Sequence, residues 1–136
     1  MSAAGPDAPR PTDRWARHDW WGVVLDAPDV AVLAAFYAEL RGWTVHHLDE
    51  DDASLDPGEG VVYLNIQRND DYVPPTWPAG PDSQQMMVHL DFEVTDLEVE
   101  TERAVALGAT LPAHQPQEGV RVLLDPAGHP FCLYTS

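Results

Sequence analysis

DPGEGVVYLNIQ at residues 56–67 and DPAGHPFCLYTS at residues 125–136 are the same phrase written twice. Each runs Asp-Pro, a few small turn-forming residues, then an apolar-rich strand. The offset between Asp56 and Asp125 is 69 positions. A second echo precedes each copy. VLDAPDV around Asp29 matches EVTDLEV around Asp96 at an offset of 67. Several echoes in one order point to a duplicated unit.

Working outward, 19–27 (DWWGVVLDA) reads as a strand stopped by Pro28, and Asp29 as an N-cap. Leu33, Phe36, Tyr37 and Leu40 fall at i, i+3, i+4, i+7, one apolar face of a helix that Gly42 ends. WTVHHL is a strand, a short strand is expected at 53–55, and VVYLNIQ is a strand with clean alternation. The second half repeats the order. It has a strand at 86–94, a helix capped by Asp96 with Leu97, Thr101, Ala104 and Val105 inward and ended by Gly108, a weak strand ATLPAH, then VRVLL and HPFCLYT. The reading is two β-α-β-β-β modules, 18–70 and 86–136, in a single domain over 18–136. Neither module can bury its sheet alone, so the two pack together. A joint at 68–85 with four prolines and a tryptophan links them and could carry Trp77 over an opening. Residues 1–17 are expected to form a flexible tail without a secretory signal, in a cytoplasmic protein.

A hydrophobic content of 44% suits a packed core, and no apolar run is long enough to span a membrane as a helix. The net charge of −16 repels phosphate backbones and anionic lipid, so neither nucleic acid nor a membrane is expected as a partner. Cys132 is the only cysteine, which excludes an intrachain disulfide and a multi-cysteine zinc site. Phosphate-cradling and dinucleotide glycine motifs and a G-x-S-x-G elbow are absent.

VVLDAPDVAVLAAFYAELRGW, HLDFEVTDLEVETERAVALGA and VRVLLDPAGHPFCLY, taken together, resemble the vicinal oxygen chelate superfamily. That group includes glyoxalase I, extradiol dioxygenases, fosfomycin-resistance enzymes and bleomycin-binding proteins. The chain is most similar to short glyoxalase-like domain proteins. The resemblance implies an α+β fold: two βαβββ modules forming an open, cup-shaped mixed sheet with helices outside. It also implies homodimers, in which each cup of the bleomycin-binding relatives is completed by two chains.

Metal-dependent members take one ligand from the first strand of each module, His or Gln, and one from the last, Glu. The matching positions here are Gly22, Tyr63, His89 and Cys132. Only His89 is a usual ligand, so the expectation is no metal. A divalent Zn, Ni, Mn or Fe ion held by an atypical set is the alternative.

Alternation divides each strand into two faces. Trp21, Val23, Leu25, Val62, Leu64, Ile66, Val88, Leu90, Phe92, Val94, Phe131 and Leu133 are expected in the core. Trp20, Tyr63, Asn65, Gln67, His89, Asp91, Cys132 and Tyr134 are expected to line the cup, with Gly22 opening space and Trp77 above. That lining of aromatic faces and hydrogen-bonding groups suits a flat, partly aromatic small molecule. The first functional expectation is therefore a bleomycin-resistance-type binder that sequesters such a molecule without a catalytic metal, as an antibiotic-resistance protein does. The alternative is a lyase, isomerase or dioxygenase with an atypical metal, or with acid–base chemistry through His89 and Asp91. Candidate catalytic groups are His89, Asp91 and Cys132. On a regular strand His89 and Asp91 stand about 7 Å apart, so contact requires their side chains to lean.

Overall fold

A computed structural model describes residues 17–136; apart from Arg17, the expected tail lies outside the described residues. The element order is β1 (Trp21–Ala27), α1 (Val30–Arg41), β2 (Thr44–Leu48), β3 (Asp52–Asp56), β4 (Val62–Arg68), β5 (Leu90–Glu93), α2 (Leu97–Ala106), β6 (Val120–Leu124) and β7 (Pro130–Tyr134). The fold is α+β, with hydrogen bonding carried in two mixed sheets, β1-β4-β3-β2 and β5-β7-β6. β1 runs parallel to β4, and β5 parallel to β7. Among the described residues β1 and β5 do not pair with each other. Among the described residues no helix is long and apolar enough to cross a membrane.

Local chemistry explains the helix ends. The Asp29 carboxylate accepts the Val32 N–H and the Asp96 carboxylate accepts the Val99 N–H, each filling an orphan donor of a first turn. Gly42 takes φ 68°, a left-handed conformation, and its N–H closes on the Ala38 carbonyl.

α1 joins the halves. Leu33, Phe36, Tyr37 and Leu40 are all buried, as their spacing predicts. Phe36 meets the ring of Phe131 in β7 at 5.7 Å, Tyr37 meets Phe92 in β5 at 6.2 Å, and Trp43 meets Phe92 at 5.8 Å. One aromatic core thus spans both modules. The Tyr37 hydroxyl donates to Asp125 Oδ2 at 2.7 Å. Asp125 also accepts the N–H groups of Ala127 and His129 and faces His129 Nδ1 at 2.8 Å. In the first Asp-Pro turn the Gly58 N–H donates locally to Asp56. The repeated phrase therefore does two jobs: both copies make a turn, and the second also pins the first module's helix.

Several expectations about faces are corrected. The strand expected from residue 86 begins at Leu90. Met87 has φ 57°, and Val88 is 67% exposed rather than in the core. Trp21 (59% exposed) and its ladder partner Val62 also lie open, whereas Leu64, Ile66 and Ala27 at the other end are buried. Alternation tells which way a side chain points, and packing covers only the far end of β1 and β4. Val105 is likewise exposed, at the end of α2.

ATLPAH contributes only a bridge, Thr110 to Leu124. Pro112 lacks a donor, which disfavours an interior ladder. Beyond it the Gln115 side chain stands in for a strand: Oε1 accepts the Val122 N–H and Nε2 donates to the Val122 carbonyl, both at 2.8 Å.

Candidate functional site

The first sheet carries a cavity of 310 Å³ lined by Trp20, His46, Ser54, Asp56, Tyr63 and Asn65, with Leu55 behind. Trp20 and Tyr63 present tilted rings with centroids 6.5 Å apart. Trp20 is steadied by its Nε1–H, which donates to the Arg17 carbonyl at 2.8 Å. Asn65 Oδ1 is buried without a hydrogen-bond partner. An unpaired buried acceptor costs about 1–3 kcal/mol, which a ligand N–H or O–H can recover.

Gly22 faces Tyr63 across the β1–β4 ladder. A Cβ at Gly22 would lie 2.5 Å from Tyr63 Cδ1 and 2.5 Å from the Tyr63 carbonyl oxygen. The tyrosine ring thus lies over the bare glycine backbone. These are the two positions from which the resemblance would draw the first module's metal ligands. One side chain is missing and the other covers the gap, so the four-ligand set does not fit this chain.

The second sheet carries a separate cavity of 150 Å³ that includes His89, Cys132, Trp77, Met86, Gln117 and Val122. Asp91 and Cys132 are opposite one another in the β5–β7 ladder. His89 Nε2 stands 3.1 Å from Asp91 Oδ1. Strand geometry alone puts such a pair out of reach, but His89 precedes β5 and escapes the pleat, so the two side chains converge. Burial, then the Asp91 charge and hydrogen bond, push the Cys132 thiol up to about 11. A neutral thiol is a poor nucleophile, which counts against Cys132 acting by nucleophilic attack. The donor atoms of His89, Asp91 and Cys132 all lie within 4.8 Å of one another.

The remaining expected residues are dispersed. Gln67 turns to its ladder partner, donating from Nε2 to Asp26 Oδ1 at 2.7 Å. Tyr134 is half-buried beside Glu93 and lines neither cavity. Trp77 reaches across to the loop after α2, where its Nε1–H donates to the His114 carbonyl at 3.3 Å. The expected lining is thus split between two faces. Trp20, Tyr63 and Asn65 are on one, while His89, Cys132 and Trp77 are on the other, with Asp91 beside them. Ser54 and Asp56 escaped the sequence reading, because the acidic, turn-rich stretch around β3 gave no face assignment, and His46 in β2 was not expected in a site, since adjacent His46 and His47 point to opposite faces of a strand. His47 points away to Asp49 and Asp52, at 3.1 and 2.8 Å.

A family model described as "Glyoxalase-like domain" matches residues 22–134. No curated protein matches the sequence. Among solved structures, a glyoxalase/bleomycin resistance protein/dioxygenase family enzyme from Burkholderia phytofirmans PsJN superposes with a TM-score of 0.63 at 20% identity, covering 84% of this chain and 95% of its own. The fosfomycin resistance protein FosX from Mesorhizobium loti gives 0.63 at 15% identity, with 88% and 93% covered. A glyoxalase-related enzyme from Fulvimarina pelagi gives 0.60 at 20% identity, with 88% and 89% covered. At these identities the likeness is one of fold.

Proposed function

Because this chain belongs to the glyoxalase-like domain family, its model matching residues 22–134, we propose that it binds and sequesters a small, flat aromatic molecule in its sheet cup. No four-ligand catalytic metal takes part. The observation that carries this reading is the buried, unpartnered Asn65 Oδ1 in the same cavity as the Trp20 and Tyr63 rings. Aromatic faces hold a planar ligand, and an unsatisfied acceptor selects one with an N–H or O–H donor. Sequestration needs affinity and abundance only, and a resistance role in the cytoplasm follows from it.

The same reading takes the protein as a homodimer. Each chain offers a cavity on each of its two sheets, and a two-fold partner would set one chain's first sheet against the other's second to close a cup. The exposed apolar residues Trp21, Val24, Met87 and Val88 near the unpaired flanks of β1 and β5 support it. A second reading, a lyase-like or other enzyme of this fold, has one observation in its favour: the 3.1 Å contact of His89 with Asp91, which would orient the imidazole for acid–base work.

Tryptophan-fluorescence titration with a panel of planar aromatic amines and amides, together with bleomycin and fosfomycin, tests the proposal. Binding without consumption of the compound is expected, weakened about tenfold in Asn65→Leu, while the free variant gains about 1 kcal/mol of stability by losing the orphan acceptor. Turnover abolished in His89→Ala would replace this reading with the enzymatic one. Asn65→Leu that destabilises the free protein and leaves binding intact would show that Asn65 is a structural residue.

A further inference from the structure

Among the described residues there are five arginines, and four of them have acceptors. Arg17 and Arg68 pair with aspartates, and Arg121 donates to the Val120 carbonyl. Arg103 reaches from α2 to the end of α1, donating to the carbonyls of Leu40 and Glu39 at 2.9 and 2.6 Å. The fifth, Arg41, is the last residue of α1. A basic side chain at that place ordinarily serves the helix's terminal carbonyls, but Arg103 has taken two of them. Arg41 Nε is buried without a hydrogen-bond partner. Its guanidinium lies over the Phe92 ring, 4.5 Å from the centroid. No carboxylate among the described residues stands within ion-pair distance of it. Burial draws the guanidinium below its usual pKa range, with the Glu100 charge pulling the other way.

We propose that Arg41 anchors a second ligand site, which binds a zwitterionic α-amino acid with its carboxylate on Arg41 and its ammonium on Glu93 and Glu100. The proposal goes beyond the sheet-cup reading and rests on none of that reading's residues.

The space is a cleft of 690 Å³ whose lining includes Arg41, Arg103, Glu93 and Glu100. That volume is in the usual range of small-molecule sites. The cleft shares no lining residue with either sheet cavity.

Charge decides the ligand class. A simple anion meets a chain of net charge −16 and two glutamates beside the arginine. A simple cation answers the glutamates and leaves Arg41 without a counter-charge. A zwitterion enters the field with no net charge and offers each side chain the opposite sign. Because Nε is buried, Nη1 and Nη2 are the donors left to a ligand, and a carboxylate can accept from both at once. The glutamates are already held. Glu100 Oε2 stands 3.7 Å from Arg103 Nη1, and Glu93 Oε2 accepts the Ser136 hydroxyl, so Oε1 of each is left to accept from an ammonium.

Isothermal titration calorimetry of the full chain with each of the standard L-amino acids tests this, in about 0.15 M salt to screen the net charge. At least one should bind one-to-one with a Kd below about 1 mM. Its N-acetyl derivative lacks the ammonium and its methyl ester lacks the carboxylate; each should bind at least tenfold more weakly. Arg41→Gln and the double variant Glu93→Gln/Glu100→Gln should weaken binding by at least the same factor, and Arg68→Gln should leave it unchanged. If a variant fails to fold, the two derivatives probe the same contacts on the native chain. No binding of any amino acid at about 10 mM, a derivative that binds as tightly as its parent, or indifference to a folded Arg41→Gln would each overturn the proposal.

Discussion

Replacing Tyr37 by Phe removes one oxygen and should loosen the joint between the modules. The hydroxyl donates to Asp125 at 2.7 Å in a core where Tyr37 is fully buried and Asp125 is 3% exposed. Burial and the Asp125 charge push the tyrosine hydroxyl well above its usual range, so it keeps its proton and stays a donor. A hydrogen bond to a charged acceptor is worth about 1.5–3 kcal/mol. Asp125 would keep the N–H groups of Ala127 and His129 and the His129 ring, so the loss should fall near the middle, about 2 kcal/mol. At the usual unfolding entropy per residue, that lowers Tm by roughly 8 °C for a domain of this size. Asp125→Ala should cost more, about 3–5 kcal/mol, because it strips the turn and leaves the tyrosine hydroxyl without its acceptor. Urea denaturation of the two single variants and the double variant measures this. In the Asp125→Ala background the Tyr37→Phe step should become nearly neutral. A Tyr37→Phe cost below about 0.5 kcal/mol, or one that persists undiminished without Asp125, would refute the claim that this bond joins the modules.

Two further outcomes bear on the cavities. Gly22→Ala places a methyl group about 1 Å too close to the Tyr63 ring and carbonyl, and should destabilise by about 1–3 kcal/mol while altering Trp20 fluorescence as the ring moves; an unchanged denaturation curve and emission spectrum would mean that the ring does not lie over Gly22. The Cys132 thiol, raised from 9.0 to about 11, favours the folded state fully below pH 9, and that contribution is lost as pH rises through 11. Alkylation at pH 8 without added metal should run about a hundredfold slower than for an unfolded thiol, and parity between the two would contradict the burial and Asp91 contact described here.

Sequence by itself determined the duplication, most of the elements and the core face of α1. Those features are written in local chemistry: Asp29 and Asp96 as caps, Gly42 as a stop, a 3.6-residue apolar spacing in α1, and a two-residue alternation in β4. It also showed that Gly22 has no side chain to ligate a metal and that Tyr63 stands where the resemblance implies a glutamate. Tertiary structure alone decided which faces are covered. Trp21 and Val62 stand at positions that alternation assigns to the core yet stay exposed, and Val88 lies before β5, outside the pleat. Structure likewise separated residues that one predicted lining had grouped, because the β1–β4 and β5–β7 ladders belong to different sheets. It brought together His89 and Asp91, which strand spacing had kept apart, because His89 lies just outside the pleat. Periodicity fixes direction within an element; the neighbours of a side chain depend on where other elements end and how they pack, and no local pattern encodes that.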